Sequence, residues 1–287
     1  MKELRKVEQI IEPQSVIEGA GVLLQRSFSP KVSNLFDPFL LFDHFAFNDP
    51  LEGPIRGFPT HPHRGIETVT YMLEGQVRHR DSLGNQGEIG AGAVQWMTSG
   101  RGILHEEMPQ RGPGGVIYGF QLWVNLPAAL KMSPPRYQEF GPGNIPSVEK
   151  DGLTLRIVAG EYAGVGGPAT EIAAQPIYME VRLEAGRLFE IDIPRGQTVL
   201  AYVFEGEGVF LNGEPGQGQP VSAVRMVKFE DGDTLKVRAA EDQSLRFMLI
   251  AGAPFGEPIA PYGPFVMTTQ EEIRQALVEL RNGTFVS

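Results

Sequence analysis

The sequence predicts an all-β protein of two barrels followed by a short C-terminal helix, and three observations predict it. At 287 residues the chain exceeds one small core and suits two modest ones. Its 35 glycines and 23 prolines fall at short intervals between runs that read as strands, which means frequent turns and few helices. The third observation is an internal echo. Arg64-Gly65, Tyr71, Leu73 and Glu74-Gly75 recur as Arg195-Gly196, Tyr202, Phe204 and Glu205-Gly206, an offset of 131 residues. A second, looser echo sets Gly90-Ala-Gly92 against Glu230-Asp-Gly232.

Strand signals run in order through Thr68–Leu73, Val116–Val124, Thr154–Val158, Tyr178–Leu183, Val199–Phe204 and Leu245–Ile250, several of them alternating in period two. A Pro- and Gly-rich stretch between Pro127 and Val148 is the natural crossing. The expected organisation is a first barrel over residues 1–134, a linker over 135–150, a second barrel over 151–265, and a helix and tail over 266–287. For the helix, Thr269 with Glu272 makes a capping box. Ile273, Ala276, Leu277 and Leu280 form an apolar stripe, and Gly283 supplies the stop.

Composition excludes several classes of function. With no cysteine, thiolate catalysis, zinc fingers and iron–sulfur clusters are ruled out. The 25 basic and 35 acidic residues give a net charge of −10 with no basic block, which argues against direct nucleic-acid binding. No run approaches a membrane span and the start lacks a secretory signal, so a cytoplasmic location without membrane association is expected.

The chemistry concentrates in two short motifs. Only five histidines exist, and three of them form His61-Pro62-His63 and His105-Glu106-Glu107. On an extended strand His61 and His63 share a face, as do His105 and Glu107. The 42-residue step from His63 to His105 is enough for about four short strands that circle a barrel and return. Three imidazoles and a carboxylate then hold a divalent transition metal with positions left open for a guest. Glu67, four residues beyond His63, competes with Glu107 as the fourth ligand if the strand is regular. Its other role is to support a ligand imidazole or Arg64 by hydrogen bonding. His44 reads as a structural histidine and His79, among charges, as a solvated one. The second half has no histidine, and the repeat puts Asp192 and Pro194 where His61 and His63 stand.

The stretches His61–Gly75 and Gln95–Pro109, with Asp37–Asp43 and Gln121–Pro127, resemble the pirin family. The resemblance is strongest over about residues 30–130. It implies a bicupin of two jelly-roll barrels, with Fe(II) in the N-terminal cupin held by His61, His63, His105 and Glu107. It thereby favours Glu107 over Glu67, which becomes a supporting residue. Some pirins resemble quercetin 2,3-dioxygenases, which open a flavonol with release of carbon monoxide. That implies a metal-dependent dioxygenase acting on a flavonol-like aromatic and O2, with Glu107 as ligand and catalytic base. Other pirins are iron-bearing, redox-sensitive regulators, which implies a protein partner instead, such as a transcription factor or a metabolic enzyme.

Overall fold

The structure, a computed structural model, describes residues 2–46, 57–213 and 217–286. The strands are β1 (Val7–Ile11), β2 (Gln14–Glu18), β3 (Val22–Phe28), β4 (Phe39–Phe45), β5 (Phe58–His63), β6 (Ile66–Glu74), β7 (Gln76–Asp81), β8 (Gln86–Ile89), β9 (Val94–Thr98), β10 (Ile103–Gln110), β11 (Tyr118–Asn125) and β12 (Arg136–Phe140). They continue as β13 (Ser147–Lys150), β14 (Leu153–Ala159), β15 (Glu161–Tyr162), β16 (Val165–Gly166), β17 (Ile177–Leu183), β18 (Leu188–Asp192), β19 (Thr198–Leu211), β20 (Gly218–Ser222), β21 (Arg225–Phe229), β22 (Thr234–Ala239) and β23 (Leu245–Gly252). The chain closes with β24 (Ala260–Tyr262), β25 (Phe265–Met267) and the helix α1 (Gln270–Asn282). All six strand signals fall on strands, and among the described residues no helix is long and apolar enough to cross a membrane.

Two compact units emerge. One comprises Gln14–Gly143 with Phe255–Ser287, and the other Met1–Pro13 with Asn144–Pro254. In the first unit a seven-stranded antiparallel sheet runs β12-β9-β6-β11-β4-β3-β2, and a four-stranded sheet runs β5-β10-β7-β8. Strand alternation sends Met72 inward with Val22, Leu24, Phe45, Val77, Ile89 and Ile117 to make an apolar cluster. The helix α1 has its capping box and a left-handed Gly283 at its end. Its stripe, Ile273 and Ala276 with Leu277 and Leu280, packs on Ala260, Phe265 and Met267.

The second unit repeats this order as β1-β21-β19-β23-β17-β14-β13, with β19 also continuing the pairing β18-β22-β19-β20. The single 14-residue β19 stands for β6 and β7 together. The echoed glycines match in backbone and the echoed tyrosines in burial, whereas Arg64 is buried and Arg195 exposed. Gly65 and Gly196 have φ of 78° and 77°, Gly75 and Gly206 have 76° and 74°, and Tyr71 and Tyr202 are both fully buried. The interior of this unit is filled by apolar side chains, among them Leu155, Met179, Phe189, Phe210 and Phe247.

The boundaries differ from those expected in three places, each for a reason of strand pairing. β1 does not join the first barrel. It pairs with β21 from Val7↔Phe229 to Ile11↔Met226 and takes the place that β12 holds in the other unit. Residues 136–140 are not linker, because β12 closes the edge of β9 from Arg136↔Thr98 to Phe140↔Val94. The second barrel ends at Pro254 rather than 265, since β24, β25 and α1 belong to the first unit. The looser echo also fails. Gly90–Gly92 turns β8 into β9, whereas residues 230–233 join β21 to β22, the counterparts of β9 and β10.

Candidate metal centre

Four strands, β6 to β9, separate the two histidine motifs and bring β10 back beside β5 in an antiparallel ladder. His105 lies directly opposite His61, and Ile103 opposite His63. A register shift between His105 and Glu107 pairs Glu107 with Phe58, and such a bulge turns side chains toward one point. The ring centroids stand 4.9 Å apart for His61 and His63, 4.4 Å for His61 and His105, and 5.0 Å for His63 and His105. One nitrogen from each ring lies within 4.8 Å of the others.

Hydrogen bonds fix the tautomers. Because a carbonyl can only accept, His61 Nδ1 donates to Pro59 O at 3.0 Å and His63 Nδ1 to Pro264 O at 3.3 Å. Both Nε2 atoms then carry lone pairs, and these face each other at 3.1 Å. A cation shared between them relieves that repulsion. Two nitrogens each ~2.1 Å from one ion and at a right angle are ~3.0 Å apart, so the spacing suits a metal. A proton is a poor substitute, because burial, with His105 and His61 close by, holds His63 well below the ordinary imidazole range. His105 is pushed down to about 4 by burial, against the pull of Glu107, and neither of its buried nitrogens has a hydrogen-bond partner.

Glu107 Oε2 lies 3.9 Å from His105 Nε2. The carboxylate accepts a 3.3 Å bond from Thr70 Oγ1 and longer 3.4 Å contacts from Gln121 Nε2, leaving capacity for a further cation. Glu67 is elsewhere. Gly65, at φ 78°, interrupts the alternation between β5 and β6, so counting four residues from His63 no longer preserves the face. Glu67 and Thr70 are three apart on β6 and therefore point oppositely. The Glu67 carboxylate accepts from Trp96 Nε1 at 3.1 Å and Thr98 Oγ1 at 2.8 Å, rather than from a ligand imidazole or Arg64. Burial pushes its pKa up, opposed by Thr98 and Trp96.

Beneath the histidines runs a polar row that the sequence did not disclose. Arg26, Asp43, Gln121, Thr70, Gln95 and Glu139 are successive cross-strand partners on β3, β4, β11, β6, β9 and β12. Arg26 grips Asp43 through two bonds of 2.8 and 2.7 Å and reaches Glu18 at 2.6 Å. Burial raises the Asp43 pKa while Arg26 lowers it. His79 joins the far end of the row. It is 5% exposed, not solvated, with Nε2 3.1 Å from Glu139 and 2.9 Å from Gln95. Its ring fits because Gly87 faces it, and a Cβ there would come within 2.7 Å of Nε2. His44 is buried against Tyr118 and Phe120, and burial takes it down to about 3.

A pocket of ≈ 340 Å³, measured to the centre of a water-sized molecule, opens over the centre. His61, His63 and Glu107 line it with Trp123, Phe58 and Leu41, and Trp123 meets His63 edge-on at 5.2 Å. In the sequence Trp123 reads as an aromatic that could line a pocket but more often fills a core, and nothing there marks the Pro264 carbonyl. In the second unit Asp192 is exposed and paired with Lys2 and Thr234. Among the described residues, His61, His63 and His105 form the one group of metal-ligand type.

Comparison with known proteins agrees with this architecture. The family profile described as Pirin matches residues 21–124, and that of the pirin C-terminal cupin domain matches residues 178–286. A pirin-like protein of Caulobacter vibrioides is 43% identical over 284 residues, 98% of this chain and 99% of that protein. Pirin of Homo sapiens is 39% identical over 98% of this chain and 94% of its own. Among solved structures, a quercetin 2,3-dioxygenase from Acinetobacter baumannii superposes with a TM-score of 0.87 at 34% identity, covering 99% of both chains.

Proposed function

The chain belongs to the pirin family and has its all-β bicupin fold, and on that premise we propose that it is a metal-dependent dioxygenase that cleaves a flavonol or similar hydroxylated aromatic with O2. The observation that carries the reading is the pair of facing Nε2 lone pairs of His61 and His63, 3.1 Å apart beside His105 and Glu107 at the floor of an open pocket. The donors are three imidazoles and one carboxylate, a set that suits Fe(II) and leaves room for a guest. A divalent ion held there supplies Lewis acidity and a redox partner for O2.

The protein's own part follows from the geometry. Pro59 and Pro264 hold the two imidazoles in one tautomer. Glu107, steadied by Thr70 and Gln121, accepts the proton of the substrate hydroxyl as it enters. Trp123, Phe58 and Leu41 offer flat apolar walls to an aromatic ring and keep water out. Among the described lining residues the one Arg or Lys is Arg26, and its guanidinium is engaged by Asp43 and Glu18. The similarity to the Acinetobacter enzyme supports the flavonol in particular.

The test is oxygen uptake by iron-loaded protein with quercetin, with carbon monoxide measured as product. Uptake that disappears in His63→Ala supports the reading. No uptake with any flavonol at full metal loading refutes it. In that case, partner binding that depends on the iron oxidation state would identify a regulator.

A further inference from the structure

Glu107, Gln121, Asp43 and Phe58 line two cavities, not one. On one side is the pocket that the histidines share. The other cavity has no histidine in its lining and is walled by Val22, Leu24, Phe45, Val77 and Ile117, all nearly fully buried. Its free space is ≈ 20 Å³ on the measure that gives ≈ 340 Å³ for the outer pocket. An aromatic substrate therefore fits the outer space alone, while the inner one admits a single small molecule, for which ~10–15 Å³ suffices.

The nature of the walls decides which small molecule. Protein interiors are close-packed, so an unfilled space of this size against a reactive carboxylate is notable. A trapped water needs two to four polar partners, and beyond the spare acceptor capacity of Glu107 this wall offers few. Both Asp43 oxygens accept from Arg26, and the Thr70 hydroxyl and the Gln121 amide point at Glu107. The rest of the lining is apolar.

We propose that this inner chamber is a binding site for a small apolar gas, and that dioxygen is the gas it holds beside Glu107. The assignment of dioxygen rests on the dioxygenase reading; the chamber's affinity for an apolar gas does not. The organic substrate and the gas then occupy two differently lined spaces that share Glu107 and Gln121.

Crystals pressurised with xenon test the site without any turnover. A xenon peak among Val77, Ile117 and Leu24 is expected, and it disappears in Ile117→Phe, whose larger ring fills the space. An ordered water there, or no xenon, overturns the proposal. Turnover tests the assignment. In Ile117→Phe and, as a second filling variant, Val77→Phe, the KM for O2 is expected to rise about 3- to 10-fold. The kcat at saturating O2, the KM for flavonol and the metal content stay within twofold. An unchanged KM for O2 in a folded, metal-replete, xenon-free variant refutes dioxygen as occupant. If flavonols are not turned over at all, the dioxygenase reading and the assignment of dioxygen fail together, and xenon alone decides whether the chamber is a gas site.

Discussion

Replacing Lys131 by methionine removes a charge from inside the first unit at almost constant volume, and its cost can be worked from the contacts. Lys131 is 1% exposed and donates its three protons to Val266 O at 2.7 Å, Asn125 Oδ1 at 2.8 Å and Gly65 O at 3.0 Å. It thus ties the turn after His63 to β11 and β25. Orphaning three buried acceptors at about 2 kcal/mol each costs about 6 kcal/mol. Against this, burial has pushed the Lys131 pKa from 10.5 down to about 8, so removing the ammonium returns about 3 kcal/mol. Lys131→Met should therefore destabilise the unit by about 3 kcal/mol. The chain's two tryptophans, Trp96 and Trp123, both lie in this unit, so their fluorescence during urea unfolding reports on it alone. A pH series gives a second arm. Below pH 8 both states carry the ammonium, and above that the unfolded chain holds more protons, so stability should climb from pH 8 toward 9.5. The methionine variant should lack that climb. A neutral or stabilising substitution, or an identical pH slope in both proteins, would refute the reasoning.

Three further outcomes are expected. Arg26→Leu leaves the buried Asp43 carboxylate unpaired and should cost about 3–5 kcal/mol in urea unfolding, most of it recovered when Asp43→Leu is added; equal losses in the single and double variants contradict this. Gln121→Leu frees one side of the Glu107 carboxylate, and metal affinity by competitive titration should fall about 10-fold with the fold intact, whereas an unchanged affinity removes Gln121 from the site's support. His44 is held at about 3 in the fold against 6.5 in the unfolded chain, so as pH drops from 6.5 toward 3 the unfolded state takes up a proton that the fold refuses and stability declines by up to about 1.4 kcal/mol per pH unit. His44→Phe should flatten that decline, and an unaltered acid-unfolding curve would tell against it.

The parts legible in the sequence were those set by local rules. Period-two runs marked the strands, Thr269, Glu272 and Gly283 marked the helix ends, and two short motifs marked the three histidines that the fold brings together. What escaped depends on pairing across the chain. No local signal distinguishes β1 as the partner of β21, although the duplicated strand order shows that the second unit needs a strand where the first has β12. The condition that put Glu67 on the face of His63, an unbroken strand, is not met, because Gly65 breaks it. His79 reads as solvated between Arg78 and Arg80, yet alternation turns it inward over Gly87 while its neighbours face out. The polar row exists only once six strands are in register, so none of its members announces itself alone.

Elemental analysis of untagged protein and single variants, grown in metal-replete medium and checked for folding, tests the central claim most directly. One transition-metal ion per chain should be found in the unaltered protein and in Glu67→Gln, and the ion should be lost from His61→Ala, His63→Ala and His105→Ala. Full metal retained in folded His63→Ala, or metal lost from folded Glu67→Gln, would contradict the assignment of the site.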